Sequence, residues 1–151
     1  MISGDAGSGK TTLAVQLLLE LTRPDRRPVE QVPVLLPIAG WDTTVHPRLQ
    51  DWLAVRLAQD YPALSAPEFG PGAAKALVER GHILPILDGL DELPEPSRAA
   101  TVSRLAGSLA EGDGLVLTTR TRELAGAVRQ AGDVLGRRPM PECPECGRCQ
   151  R

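Results

Sequence analysis

The chain has 151 residues, of which 42% are hydrophobic and 24% charged, and its formal net charge is −2. This composition is typical of one globular domain, and no continuous basic stripe is present, so we expect no nucleic-acid partner. No apolar run is long enough to span a bilayer and no apolar signal segment follows Met1, which predicts a cytoplasmic protein with no membrane partner.

Segments with helical apolar spacing alternate with short apolar runs, a pattern that predicts an α/β fold with a mostly parallel sheet. In chain order we expect a helix over 9–22, a strand over 32–39, helices over 49–59 and 72–80, a strand over 83–88, a helix beginning near Ser97, a strand over 115–119 and a helix over 122–130.

Three local features refine these elements. The helix over 9–22 is apolar on most sides, so we expect it to be buried. Prolines 33 and 37 favour an edge position for the first long strand, and Pro85 predicts that regular pairing of the next strand begins only at Ile86. Ser97 is the expected N-terminal cap of its helix.

The end of the chain differs from the rest. We expect a domain over residues 1–135 and an irregular Cys/Pro-rich tail over 136–151. The tail carries Cys143, Cys146 and Cys149 with no histidine nearby, one ligand fewer than a tetrahedral structural zinc site needs. An exposed, redox-sensitive segment is therefore favoured over a zinc site.

The most specific motif is GDAGSGKTT at residues 4–12, which matches the phosphate-loop pattern G-x-x-x-x-G-K-[ST] directly before a helix. Its backbone N–H groups and the helix N-terminus suit phosphate, Lys10 would bridge β- and γ-phosphate oxygens, and the Thr11 hydroxyl would ligate Mg²⁺. The alternative is a glycine-rich turn that only starts a helix. The predicted nucleotide-binding residues are Gly4, Asp5, Ala6, Gly7, Ser8, Gly9, Lys10, Thr11 and Thr12.

An acidic cluster, DGLDE, follows the apolar run 83–87. Asp88, at the expected carboxyl end of a parallel strand, is the predicted second Mg²⁺ ligand beside Thr11. Asp91 and Glu92 are the predicted catalytic acids that orient or deprotonate the attacking water. The alternative is a solvated acidic turn.

Arg120 ends the third apolar run, at the sheet edge where ligands bind in open parallel sheets. We predict that it reaches the γ-phosphate and distinguishes the triphosphate from the diphosphate. The alternative is an arginine that merely extends into solvent from a strand end.

The stretches GDAGSGKTT, LDGLDEL and LTTR together resemble the NACHT family of P-loop ATPases, and the arginine-rich, lysine-poor composition is similar to that of its bacterial members. The resemblance implies a three-layer P-loop NTPase fold and an ATP-binding, Mg²⁺-dependent switch that oligomerises and hydrolyses slowly within a larger signalling protein. Against the family pattern, the first strand is reduced to residues 1–3 and the lid domains are absent, so we expect a partial domain.

Two other functions stay open at this point. An incomplete fragment could bind a partner or zinc without retaining nucleotide, and a small P-loop phosphotransferase would share the phosphate loop. A GTP-specific switch is disfavoured because the sequence has no Asn-Lys-x-Asp motif.

Overall fold

The computed structural model describes residues 1–25, 31–110 and 112–130. The predicted boundary near residue 135 and the three cysteines lie outside these described residues. The described elements are β1 (Ile2–Ser3), α1 (Lys10–Leu21), β2 (Val32–Pro37), α2 (Leu49–Asp60), α3 (Ala73–Glu79), β3 (Ile83–Asp88), α4 (Glu95–Ser108), β4 (Val116–Thr119) and α5 (Thr121–Gln130).

The four strands of the described chain form one sheet in the order β1-β4-β3-β2, and every neighbouring pair is parallel. Together with the five helices, this is the α/β fold of P-loop proteins, and the predicted fold class is confirmed. β2 lies at one edge of this sheet, as its two prolines predict. β1 lies at the other edge of the described sheet and pairs with β4.

The main core lies on one face of the sheet. Leu87 and Leu117 are in register on β3 and β4 and belong to this core together with buried side chains of β2, α2, α3, α4 and α5. Trp41 and Trp52 stack within it, with ring centroids 6.0 Å apart. Because strand side chains alternate between faces, Asp88 and Thr118 point to the opposite face. The start of α1 lies on that face, where Thr11 contacts Asp88.

The expectation of a buried first helix is wrong. α1 contacts the strands of the sheet, but only its Ala14 is buried, and Leu13 and Leu19 are 50% and 60% exposed. Its apolar residues wrap around the helix, whereas the described sheet covers a single side, so side chains on both flanks stay exposed.

Two further expectations needed correction. Ser97 does not cap α4, because the helix begins at Glu95 with Pro94 at the cap position. Pro85 delays pairing on one side only, because β3 pairs with β4 from Ile86 onward but with β2 already from Ile83. No helix in the described part of the chain is both long and apolar enough to cross a membrane.

Candidate functional site: a cleft at the carboxyl edge of the sheet

The parallel topology brings three segments to the same edge of the sheet. β1 leads into the phosphate loop, β3 ends at Asp88, and β4 ends at Thr119. β4 lies between the other two strands, with Ile2 opposite Thr118 on one side and Leu87 opposite Leu117 on the other. The loop and the acidic cluster therefore face each other across the end of β4.

The phosphate loop depends on glycine at the positions where the backbone turns most sharply. Gly7 and Gly9 have φ values of 72° and 77°, a left-handed conformation that other residues rarely adopt. A Cβ atom at Gly4 would come within 2.6 Å of Ser8 Oγ. Lys10 Nζ donates to the carbonyl oxygens of Gly4 (3.3 Å) and Asp5 (3.0 Å), so its ammonium group lies against the loop.

A short chain of hydroxyl and carboxylate groups connects the loop to β3 and β4. Thr11 Oγ1 donates to Asp88 Oδ2 at 2.9 Å. Thr118 Oγ1 donates to the other carboxylate oxygen, Asp88 Oδ1, and accepts a hydrogen bond from the Gly89 N–H at 2.9 Å. Both carboxylate oxygens of Asp88 thus have a defined partner.

The two distal acids lie on a 3₁₀ turn, Leu90–Glu92, directly after β3. Gly89 starts the turn with φ 84°, and a Cβ atom there would lie 3.1 Å from the Glu92 carboxylate. Arg98 of α4 donates to the carbonyl oxygens of Asp91 (3.2 Å) and Leu93 (2.8 Å), and these bonds hold the turn against α4.

Arg120 forms an ion pair with one of the distal acids. Its Nε lies 2.8 Å from Asp91 Oδ2, and its NH1 group lies 3.7 Å from Glu123 Oε1. The Asp91 side chain is only 8% exposed, whereas that of Arg120 is 45% exposed. The guanidinium is therefore held at the rim of the site with much of its surface open to solvent.

These segments enclose an open cleft of about 330 Å³, which we call the phosphate-loop cleft. Nine of the thirteen residues predicted from the sequence line it. The four that do not are Gly4, Asp5, Ser8 and Thr12. The lining residues are Ala6, Gly7, Gly9, Lys10, Thr11, Asp88, Gly89, Asp91, Glu92, Thr118 and Arg120.

The donor groups in the cleft fit a nucleotide and its metal. Loop N–H groups and an ammonium suit phosphate, and a hydroxyl beside a carboxylate supplies the hard oxygen ligands that Mg²⁺ prefers. Mg²⁺ in nucleotide sites takes one or two protein ligands besides phosphates and water. Within the described ranges, no group of three or more His, Cys, Asp or Glu side chains could hold a metal ion.

Sequence reasoning missed Thr118 and Arg98. Thr118 stands in the LTTR stretch, but nothing in the pattern says which of its two threonines turns toward Asp88. Arg98 is one of several arginines along α4 and the loops, and only the fold brings it behind the acidic turn.

The parallel sheet, the glycine loop before α1 and the acid at the end of β3 define a P-loop NTPase domain. The sequence model of the NACHT domain matches residues 1–140, which is most of the chain. The chain therefore belongs to the NACHT family. Comparison with curated proteins and with solved structures gave no match.

Proposed function

We propose that this NACHT domain binds ATP together with Mg²⁺ in the phosphate-loop cleft and works as a regulatory switch with slow ATP hydrolysis. The observation that carries the proposal is the hydrogen bond from Thr11 to Asp88, because it joins a phosphate-loop hydroxyl to an acid 77 residues away. That pairing of groups is what a Mg²⁺-nucleotide site requires.

In this proposal the segment from Gly4 to Thr12 holds the phosphates through its backbone N–H groups. Lys10 releases the carbonyl oxygens of Gly4 and Asp5 and donates to the β- and γ-phosphate oxygens instead. Thr11 and Asp88 would hold Mg²⁺. When bound, the ion supplies positive charge beside the phosphate oxygens, where negative charge increases during transfer.

The turn after β3 supplies the acids for hydrolysis. Glu92 is exposed toward the cleft, whereas the Asp91 side chain is only 8% exposed, so Glu92 is the better placed of the two to accept a proton from water. Arg120 leaves Asp91 to contact the γ-phosphate, which makes the position of its guanidinium depend on the bound nucleotide.

ATP is favoured over GTP because the chain has no Asn-Lys-x-Asp motif to bind guanine. Family membership supports a switch within a larger signalling protein that forms homo-oligomers when it binds ATP. The proposed location is the cytoplasm, where ATP and Mg²⁺ are abundant.

Equilibrium binding of a fluorescent ATP analogue to the full chain, with and without Mg²⁺, tests the proposal. Lys10→Ala should weaken binding about 10- to 150-fold, because a charge-assisted hydrogen bond contributes about 1.5–3 kcal/mol. Lys75→Ala is a matched control, since Lys75 is the only other lysine and lies on α3 beside Glu79 (3.7 Å).

Three results would contradict the proposal: no binding by the folded wild-type chain, equal affinity of Lys10→Ala and wild type, or an equal loss in Lys75→Ala. Competition with unlabelled ATP and GTP then tests the base preference. Release of inorganic phosphate at saturating ATP tests hydrolysis separately from binding.

A further inference from the structure

Thr118 differs from every other residue of the cleft because its side chain is completely buried yet bonds two groups of the site. Its exposed fraction is 0%. A buried position in a parallel strand normally favours an aliphatic residue such as valine, which has nearly the same shape as threonine. The hydroxyl group at this position is therefore used for its hydrogen bonds.

The direction of these bonds follows from the partners. The Gly89 N–H can only donate, so the Thr118 oxygen accepts from it, and the single hydroxyl proton is left for Asp88 Oδ1. Asp88 therefore accepts one hydrogen bond from Thr118 on Oδ1 and one from Thr11 on Oδ2. Rotation of the carboxylate would break both bonds, so the two threonines together fix its orientation.

We infer that Thr118 is a positioning residue for the Mg²⁺-nucleotide site: it sets the orientation of the Asp88 carboxylate and anchors Gly89, where the turn with Asp91 and Glu92 begins. This inference rests on the proposed function of Asp88 as a metal ligand. Groups that orient a metal ligand from outside the first coordination shell commonly change metal affinity by about 10- to 100-fold.

Thr119 is a matched control on the same strand. It is also 0% exposed, but strand alternation turns it to the face opposite Asp88. Among the described residues, its hydroxyl contacts the carbonyl oxygen of Arg120 at 3.4 Å. Thr119→Val removes a buried hydroxyl from β4 without touching Asp88 or Gly89.

The experiment is a Mg²⁺ titration of the full chain with a fixed concentration of fluorescent ATP analogue, with thermal unfolding recorded for each variant. Thr118→Val should raise the Mg²⁺ concentration at half-maximal binding about 10-fold or more, while binding without Mg²⁺ changes less than about twofold. Thr118→Ser keeps the hydroxyl and should restore the wild-type value. Thr119→Val should match the wild type.

The outcomes separate the two proposals. If Mg²⁺ does not strengthen binding to the wild type, the proposed function of Asp88 is wrong. If Mg²⁺ strengthens binding to the wild type and to Thr118→Val equally, or if Thr118→Ser behaves like Thr118→Val, the positioning role of Thr118 is wrong. Should Thr118→Val fail to fold, Thr118→Ala takes its place, and a wild-type Mg²⁺ dependence in that variant overturns the inference.

Discussion

The ion pair between Arg120 and Asp91 should oppose contact between Arg120 and a γ-phosphate. The pair is short, with 2.8 Å between Arg120 Nε and Asp91 Oδ2, but the Arg120 side chain is 45% exposed. Solvent screening at that exposure reduces the value of the pair to about 1 kcal/mol. If binding of a triphosphate breaks the pair, Asp91→Asn should strengthen that binding about fivefold.

The assay compares the affinities of a non-hydrolysable ATP analogue and of ADP, each with Mg²⁺. By releasing Arg120, Asp91→Asn should strengthen binding of the ATP analogue but not of ADP, because ADP has no γ-phosphate for Arg120 to contact. Removing an acid from the cleft also lowers its repulsion of any nucleotide. The same substitution in an Arg120→Met background measures that general effect, since no guanidinium is present there.

Two results would refute this reasoning. One is an equal gain in affinity for ADP and for the ATP analogue. The other is a gain for the ATP analogue that persists undiminished in the Arg120→Met background, which would show that repulsion rather than release of Arg120 is responsible.

Further substitutions test the acidic cluster. Asp88→Asn should weaken binding in the presence of Mg²⁺ at least tenfold more than binding in its absence, and an equal loss in the two titrations would mean that Asp88 is only structural. Replacing Asp91 and Glu92 together with Asn and Gln should not weaken ATP binding but should remove single-turnover hydrolysis, whereas turnover at the parent rate would identify the pair as a solvated turn. Gly89→Ala should lower the free energy of unfolding by about 1–2 kcal/mol in urea denaturation, because alanine disfavours φ 84° and its Cβ would lie against Glu92. Gly107→Ala, in the last turn of α4 with open space around it, should not destabilise the chain.

The phosphate loop and the strand with Asp88 could be predicted because their signals are local. A loop that must turn tightly around a phosphate needs glycine at fixed spacing, and a strand buried on both faces needs a continuous apolar run. Both requirements appear directly in the order of residues. The predicted ends of α2, α3, β4 and α5 fall within about one residue of the observed ends for the same reason.

Burial of α1 could not be predicted in this way. Apolar residues around a helix show that it can be buried, but the elements that pack against it decide how much of it is. In the described chain the sheet covers the side with Ala14 and leaves Leu13 and Leu19 exposed. The prediction that Ser97 caps α4 was wrong for a related reason. Ser97 is a good capping residue, but Pro94 and Pro96 allow the helix to begin before it.

The sequence by itself determined most of the chemical groups in the cleft, since the glycine loop, Lys10 and the acids of the DGLDE stretch are fixed by local spacing. Only the tertiary structure decided how those groups pair. Asp88 bonds Thr11 and Thr118, and Arg120 bonds Asp91, across separations of 77, 30 and 29 residues. Hydrogen bonds and ion pairs act over about 3 Å, and residues so far apart along the chain come that close only when parallel strands align in register.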